Sequence, residues 1–367
     1  MTRIRTARGN EPTEVRMVLE GLPQPHTKGG PLPSPSEVFW RSNFELDQSG
    51  RPWIQAALPI LMRAKSGGVF DDPLDPVALA NSEEIQAIYH DWWPWMKVVP
   101  ITCDLAEPLL PGKGVGCFFS GGVDSFYSVL THLEEVTHLI LVKSGFDIFP
   151  PKPELSERTH RELAEAAAAY GKPLITVETN VREISSRFVR WGRRYHGAAL
   201  ATVGQLLQSH IDTVLVPSTD QQADLAPWGS HPAVDPLWSS SYLKVVHDSV
   251  KPSRSEKVRE IIADPVAMRH LRVCWRNPDS EYNCGKCEKC VRTMISLYAF
   301  GALEQCATFD DEIDRESLET LNVSGGHLTF AVGNLALLKE GRGESDQVYR
   351  ILRARVEEED PMALEEL

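Results

Sequence analysis

The 367-residue chain has no apolar run approaching the ~20 residues that a membrane-crossing helix needs. Its start, Met1 to Asn10, is basic, but no apolar stretch of the signal-peptide kind follows, so a secretory signal is not expected. Positive charge is scarce as well. Lys and Arg number 38 against 51 Asp and Glu, a net charge of -13. Such a chain is not expected to hold nucleic acid on a broad basic face, although a local basic groove is compatible with it. Cysteines are few and odd in number, seven in all, with four close together late in the chain. With no export signal, this pattern predicts a reduced cytoplasmic protein with a metal site and not a disulfide framework. Hydrophobic residues, at 42 %, suffice for a sizeable core, and the length suits two or three domains.

What the sequence does have is the stretch Gly114-Val-Gly-Cys-Phe-Phe-Ser-Gly-Gly-Val-Asp-Ser125. An apolar strand pattern ends in a tight Ser-Gly-Gly turn and enters a helical pattern at Phe126 to Leu130. Paired glycines allow positive φ and close backbone approach, and the turn amides with the helix N-terminus make a concavity suited to an anion. Asp124 adds a carboxylate for magnesium, and Ser120 and Ser125 add hydroxyls. A Walker A loop is excluded, because that motif ends in Gly-Lys-Ser/Thr and here Lys113 precedes the strand.

The hexapeptide Ser120, Gly121, Gly122, Val123, Asp124, Ser125 resembles the signature of the PP-loop ATP pyrophosphatases, the family of asparagine synthetase, GMP synthetase and 7-cyano-7-deazaguanine synthase. The resemblance implies ATP and Mg2+ at this turn, adenylation of a substrate oxygen, release of pyrophosphate and displacement of AMP by a nucleophile. It also implies a cation from the helix near Ser253 to Ile262 at the pyrophosphate. Arg254 and Lys257 both suit that position, and Lys257 is taken as the catalytic one, beside Asp124.

From Gly114 onward, strands alternate with helices: Val115 to Phe119, Thr137 to Val142, Pro173 to Val177 and Thr213 to Pro217, separated by helical segments at Glu154 to Tyr170, Val181 to Trp191 and Gly197 to His210. This alternation predicts a parallel sheet covered on both faces, with ligands beyond the carboxyl ends of its strands. The fold class is therefore α/β, and the resemblance makes it of the HUP/PP-loop type. An N-terminal α+β domain precedes it and a C-terminal zinc-knuckle and helical module follows. The expected boundaries are an arm at 1–36, a small domain at 37–110, an ATP-binding domain at 111–265 and the zinc module with C-terminal helices at 266–367.

In the first part, Glu37 to Leu46 and Val98 to Ile101 suit strands, and Ser82 to Trp93 suits a helix capped by Ser82. Trp92, Trp93 and Trp95 are expected to pack that helix end against the next domain. Lys143 to Pro151 matches in position the segment that contacts adenine and ribose in PP-loop enzymes. Arg190, Arg193, Arg194 and His196 form a basic patch, suited equally to a substrate anion or to a solvated helix end. In the deazaguanine synthase an arginine near the matching place is followed by asparagine, which is missing here. The long loop Ser218 to Ser241 holds Asp220, Asp224, His231 and Asp235 and is the expected substrate-recognition segment. His231 in it reads as a local hydrogen bonder more readily than as a general base.

Cys274, Cys284, Cys287 and Cys290 have the spacing of a tetrahedral zinc site, with Gly285 easing the knuckle turn and Lys286, Lys289 and Arg292 offsetting the thiolate charge. A ferredoxin-type cluster needs a further cysteine after three more residues, where Met294 stands. The order also resembles the zinc site of the deazaguanine synthase. Zn2+ held by four thiolates has no open position, which makes it structural. Cys103, Cys117 and Cys306 are expected to be buried, and the chain past Leu303 to form helices ending in a frayed acidic tail from Glu357 to Leu367.

The function expected is an ATP-dependent ligase or amidotransferase-like enzyme that adenylates a carboxylate or amide oxygen of a small molecule. No glutaminase domain is evident, so free ammonia or a partner donating nitrogen or sulfur supplies the nucleophile. An ATP-dependent sulfurtransferase acting on RNA and a non-catalytic nucleotide-binding module are the alternatives.

Overall fold

The structure, a computed structural model, describes residues 1–25, 31–107, 109–110, 112–219 and 225–364. In chain order its first elements are strands β1 (Thr2–Arg8), β2 (Glu14–Glu20) and β3 (Ser36–Ser42), helix α1 (Trp53–Ala64), strand β4 (Gly68–Phe70), helix α2 (Pro76–Trp92) and strand β5 (Ile101–Thr102). The central part comprises β6 (Val115–Phe118), α3 (Val123–Thr131), β7 (Val136–Ser144), α4 (Pro153–Ala169), β8 (Leu174–Thr179), α5 (Val181–Ser185), α6 (Trp191–Arg194), α7 (His196–Leu206), β9 (Thr213–Pro217) and β10 (Lys244–Asp248). Helices α8 (Arg254–Ile261), α9 (Pro265–His270), α10 (Glu288–Ala299), α11 (Arg315–Glu319), α12 (His327–Gly341) and α13 (Gln347–Glu359) complete the chain.

All ten strands belong to one sheet, in the order β10-β9-β6-β7-β8-β3-β2-β1-β4-β5. The half from β10 to β8 is parallel throughout. Antiparallel pairing enters at β8–β3 and continues through β3–β2 and β2–β1, and β4 and β5 close the far edge in parallel.

Alternation along the central strands assigns the two faces. Phe118, Ile140, Val214 and Val216 point into a core shared with α1, α2 and α7. Cys117, Phe119, Leu139, Leu141 and Leu215 point the other way, into a core shared with α3, α4, α8, α9 and α10. Successive strand side chains face opposite sides, so a strand buried on both faces must be apolar at every position, as Val214-Leu215-Val216 is.

Several elements differ from the sequence reading. The expected arm at 1–36 holds two ordered strands. Thr2 and Ile4 are buried beside outward Arg3 and Arg5, and Val15, Met17 and Leu19 are buried beside Arg16. That period-2 alternation drives pairing, while the described prolines and glycines of the segment fall in the connections. These strands share both the sheet and the first core with the central part, so the boundary expected near 110 does not separate two hydrophobic cores.

Helix α2 begins at Pro76, not Ser82. Asp75 accepts hydrogen bonds from the Val77 and Ala78 amides at 3.0 Å each, and proline at the first position is preset for the helix. Ser82 is buried inside it and donates to Leu79 O. The helix expected over Val181 to Trp191 is split into α5 and α6, with extended backbone at Arg190. Strand β10, which falls between the loop ending at Ser241 and the helix expected from Ser253, was not foreseen. It gains its place by edge pairing with β9.

Trp92 and Trp93 pack on the first core, and Trp92 meets His231 edge-on at 4.9 Å, which places the end of α2 against the segment between β9 and β10. Cys117 and Cys306 are buried as expected, and Cys103 is partly so. At the C-terminus Val291 and Ile295 of α10 share a core with Leu318, Leu335, Leu338, Leu352 and Val356 from α11 to α13. The acidic tail continues as helix to Glu359 and then as a 3-10 turn at Pro361–Leu364, in place of fraying from Glu357.

Candidate functional site

The parallel half of the sheet fixes where a site can form. From β6 the chain moves to β7 and β8 on one side, and then crosses back to β9 and β10 on the other. The carboxyl ends of β6 and β9 therefore flank a topological switch point, the crevice where open α/β sheets bind ligands. A cavity of about 210 Å³ lies there, walled by Ser120 after β6, Val142 of β7 and Val216 and Pro217 of β9.

The Ser-Gly-Gly turn forms one wall. Gly121 adopts φ +79°, and a Cβ there would lie 2.8 Å from Leu163 Cδ2. The positive φ calls for glycine, and a methyl there would also displace the tip of Leu163. The carbonyl of Gly121 accepts a hydrogen bond from the Arg272 amide at 2.7 Å, tying the turn to the segment that leads to the cysteines. Gly122 caps α3 with extended backbone and no side-chain cap. The leading amides of the helix stay available to a ligand in the cavity, which Val123, Asp124 and Ser125 also line.

Cations converge on this wall. Helix α8 starts with a capping box in which Ser253 and Glu256 exchange hydrogen bonds, and this fixes the first turn. Arg254 in that turn donates to Asp124 Oδ2 at 2.7 Å. Lys257, whose side chain is 1 % exposed, lies 3.5 Å from Asp124 Oδ1 and donates to Ser218 O at 2.5 Å. Burial by itself would raise the pKa of Asp124, but Arg254 and Lys257 outweigh it and hold the carboxyl below its ordinary value. Burial is also the main reason that Lys257 and Lys289 lie below the usual lysine range. Arg254, Arg272 and Lys289 line the cavity, against the carboxylates Asp124 and Asp147. In a chain of net charge -13, this concentration of cations is local.

The opposite wall carries Phe146 and Asp147, from the segment expected to meet adenine, together with His196 at the start of α7. Burial lowers the pKa of His196 and favours its neutral form. Of the basic patch, His196 alone reaches the cavity wall. Arg194 lies over the rings of Trp93 and Trp95 at 5.0 and 4.6 Å from their centroids. His231 accepts from the Ala233 amide at 3.0 Å through Nδ1, the local role expected of it. Asp220 and Asp224 lie outside the described residues.

The four cysteines come together as their spacing predicts. Sγ separations are 3.5 Å for Cys274–Cys284, 3.8 Å for Cys274–Cys287, 3.9 Å for Cys284–Cys290 and 3.5 Å for Cys287–Cys290. A zinc tetrahedron with bonds of roughly 2.3 Å has an edge of roughly 3.8 Å, so the set is compatible with zinc. Backbone amides already serve the sulfurs: Asn277 N–H donates to Cys274 and Cys287 N–H to Cys284, at 3.2 and 3.3 Å. Asn283 Oδ1 accepts from the Val273 and Cys274 amides, which locks the upstream ligand in place. Gly285 takes φ +66° at the knuckle turn. Of the three cations expected to offset the thiolates, Lys289 lines the cavity and Arg292 pairs with Glu288 at 3.1 Å.

The knuckle also belongs to the larger site, because Val273, Cys274 and Trp275 complete the cavity wall. Sequence reasoning assigned Lys257 to the cavity and left Arg254 as the alternative. The structure seats Arg254 in the wall and Lys257 behind Asp124. Arg272 and Asp147 were missed because neither lies in a recognisable motif. The chain matches no family model, no curated protein and no solved structure. Among the described residues no helix is long and apolar enough to cross a membrane.

Proposed function

We propose that the protein is an ATP pyrophosphatase-type ligase, related to the PP-loop enzymes that its hexapeptide resembles. It would adenylate an oxygen of a small-molecule carboxylate or amide and pass the activated group to a nitrogen or sulfur nucleophile. One observation carries this reading: the Ser120–Ser125 turn, an uncapped helix N-terminus and three cationic side chains face one cavity at the switch point of the sheet. That combination suits a polyphosphate, and the lack of a Walker lysine favours a grip on departing pyrophosphate over transfer of the γ-phosphate.

Asp124, the carboxylate in the cavity wall beside the turn, is the residue that would hold magnesium. The ion would supply charge neutralisation at the phosphates. Arg254 is the cation placed to meet the pyrophosphate, and Lys257 keeps Asp124 oriented from behind. Zinc bound by Cys274, Cys284, Cys287 and Cys290 would be structural and would hold the Val273–Trp275 wall in place. A sulfurtransferase reading gains no support from the cavity. The one cysteine among its described lining residues, Cys274, belongs to the four-sulfur set.

The test uses ATP labelled at the α position, with purified protein and a dialysed and an undialysed cell metabolite extract. Label moving to AMP or an adenylate only with the undialysed extract is the expected result. Label in ADP would overturn the reading.

A further inference from the structure

Beside the large cavity lies a smaller one of about 70 Å³, and the two share His196, Pro217 and Thr219 in their walls. Its remaining lining includes Trp228, Ser230, His231 and His247. A volume of this size is several times the roughly 10–15 Å³ that one water-sized molecule occupies and far below what a nucleotide requires.

His247, in β10, has a side chain only 5 % exposed. Its Nδ1 lies 2.7 Å from Asp235 Oδ2, and the same oxygen accepts from Ser230 Oγ at 2.6 Å. Asp235 is 1 % exposed. A buried carboxylate at this distance fixes the Nδ1–H tautomer, leaving the lone pair on Nε2. That Nε2 is buried and, among the described residues, has no hydrogen-bond partner. A histidine that merely pinned the β9–β10 connection to the sheet would be expected to satisfy both nitrogens, because an unpaired buried acceptor is destabilising. The pair is built like the base-and-orienter half of a catalytic triad, next to the cavity proposed for the adenylated substrate.

We propose that His247, held by Asp235, is the general base for a small amine nucleophile, ammonia or a primary amine, that occupies the second cavity. This rests on the adenylation reading of the first cavity. When the amine nitrogen attacks the activated carbon, a C–N bond forms and the surplus proton on nitrogen passes to His247 Nε2. The C–O bond to the adenylate then breaks and AMP leaves with its electron pair. The imidazolium so formed is stabilised by the Asp235 carboxylate beside Nδ1. Among the described residues, His231 and His196 are the other titratable groups in the cavity wall, and burial lowers the pKa of each, keeping them neutral beside the incoming amine.

Imidazole nitrogen spectra of the 15N-histidine-labelled full chain test this. Ammonium chloride serves as the probe and equal sodium chloride as the control. His247 is expected to show an unprotonated Nε2 whose resonance moves saturably with ammonium and not with sodium. In Asp235→Asn the tautomer preference should be lost and the ammonium response with it, while His247→Gln identifies the resonance. An Nε2 found protonated, or one that responds alike to both salts, overturns the proposal. Magnesium-ATP binding, measured separately by calorimetry on the same wild-type sample, keeps the two readings apart. No ATP binding with an intact ammonium response overturns the adenylation reading, and with it the reaction assigned to His247, while the amine site stands; normal ATP binding with no ammonium response strikes the base assignment alone.

Discussion

Arg254 holds Asp124 at 2.7 Å across 130 residues of sequence, and so joins the first turn of α8 to the first turn of α3 at the mouth of the cavity. The pair is largely buried, with side-chain exposures of 13 % and 16 %, and Lys257 approaches the same carboxylate from the protein side. Removing the carboxylate would leave two cations in a poorly hydrated place. Asp124→Asn is therefore expected to lower stability at neutral pH by about 3 kcal/mol, read from denaturant unfolding. It should also weaken magnesium-dependent ATP binding. A variant as stable as the parent, with unchanged calorimetric affinity, would contradict both roles.

The same pair gives a pH dependence of definite sign. The pKa of Asp124 is lower in the folded chain than in the unfolded one, where it is about 3.9. Its contribution is therefore present above that value and lost as the pH falls through the folded value. The stability gap between the parent and Asp124→Asn should be full at pH 6 and should narrow only below about pH 4. A gap that closed between pH 6 and 8 would point to a different group.

Arg254 and Lys257 should separate in experiment. Arg254 faces the cavity, so Arg254→Met is expected to weaken ATP binding at least tenfold and to leave adenosine binding nearly unchanged. Lys257→Met, acting through Asp124 and the Ser218 carbonyl, should mainly lower stability and turnover. Equal losses of ATP and adenosine affinity in Arg254→Met would show that the arginine does not meet phosphate.

Gly121→Ala tests the turn without touching charge. The residue sits at φ +79°, and its new methyl would press on Leu163. Left-handed backbone costs an L-residue about 1–2 kcal/mol before any clash, so a loss of at least that size is expected, together with loss of ATP binding. A variant that kept both would mean the turn tolerates other backbone geometries.

Cysteine replacement tests the metal site. Purified protein is expected to contain one zinc per chain by metal analysis, and Cys287→Ser or Cys290→Ser should release it. Cys290 is in the first turn of α10, whose apolar side chains Val291, Ile295 and Met294 enter two cores. Metal loss should therefore lower the unfolding temperature and also loosen the cavity wall at Val273 to Trp275. Iron with sulfide, or no metal, in the parent protein would overturn the zinc reading.

The sequence by itself determined the central strands, the Ser-Gly-Gly turn and the four-cysteine set. Each is local: apolar runs such as Thr213–Pro217 specify buried strands, and paired glycines or closely spaced cysteines carry their chemistry within a few residues. The strands at Thr2–Arg8 and Glu14–Glu20 were legible too, in their alternation, but were masked by the prolines and glycines that follow them. Tertiary structure alone decided what meets at the cavity. Whether Arg254 or Lys257 faces it depends on the angle at which α8 crosses α3, and both choices fit the helix periodicity. Strand β10 became a strand only through the edge that β9 offered it, and that pairing brings His247 to Asp235. Contacts between residues distant in sequence rest on packing across the whole sheet, and no local pattern of residues encodes them.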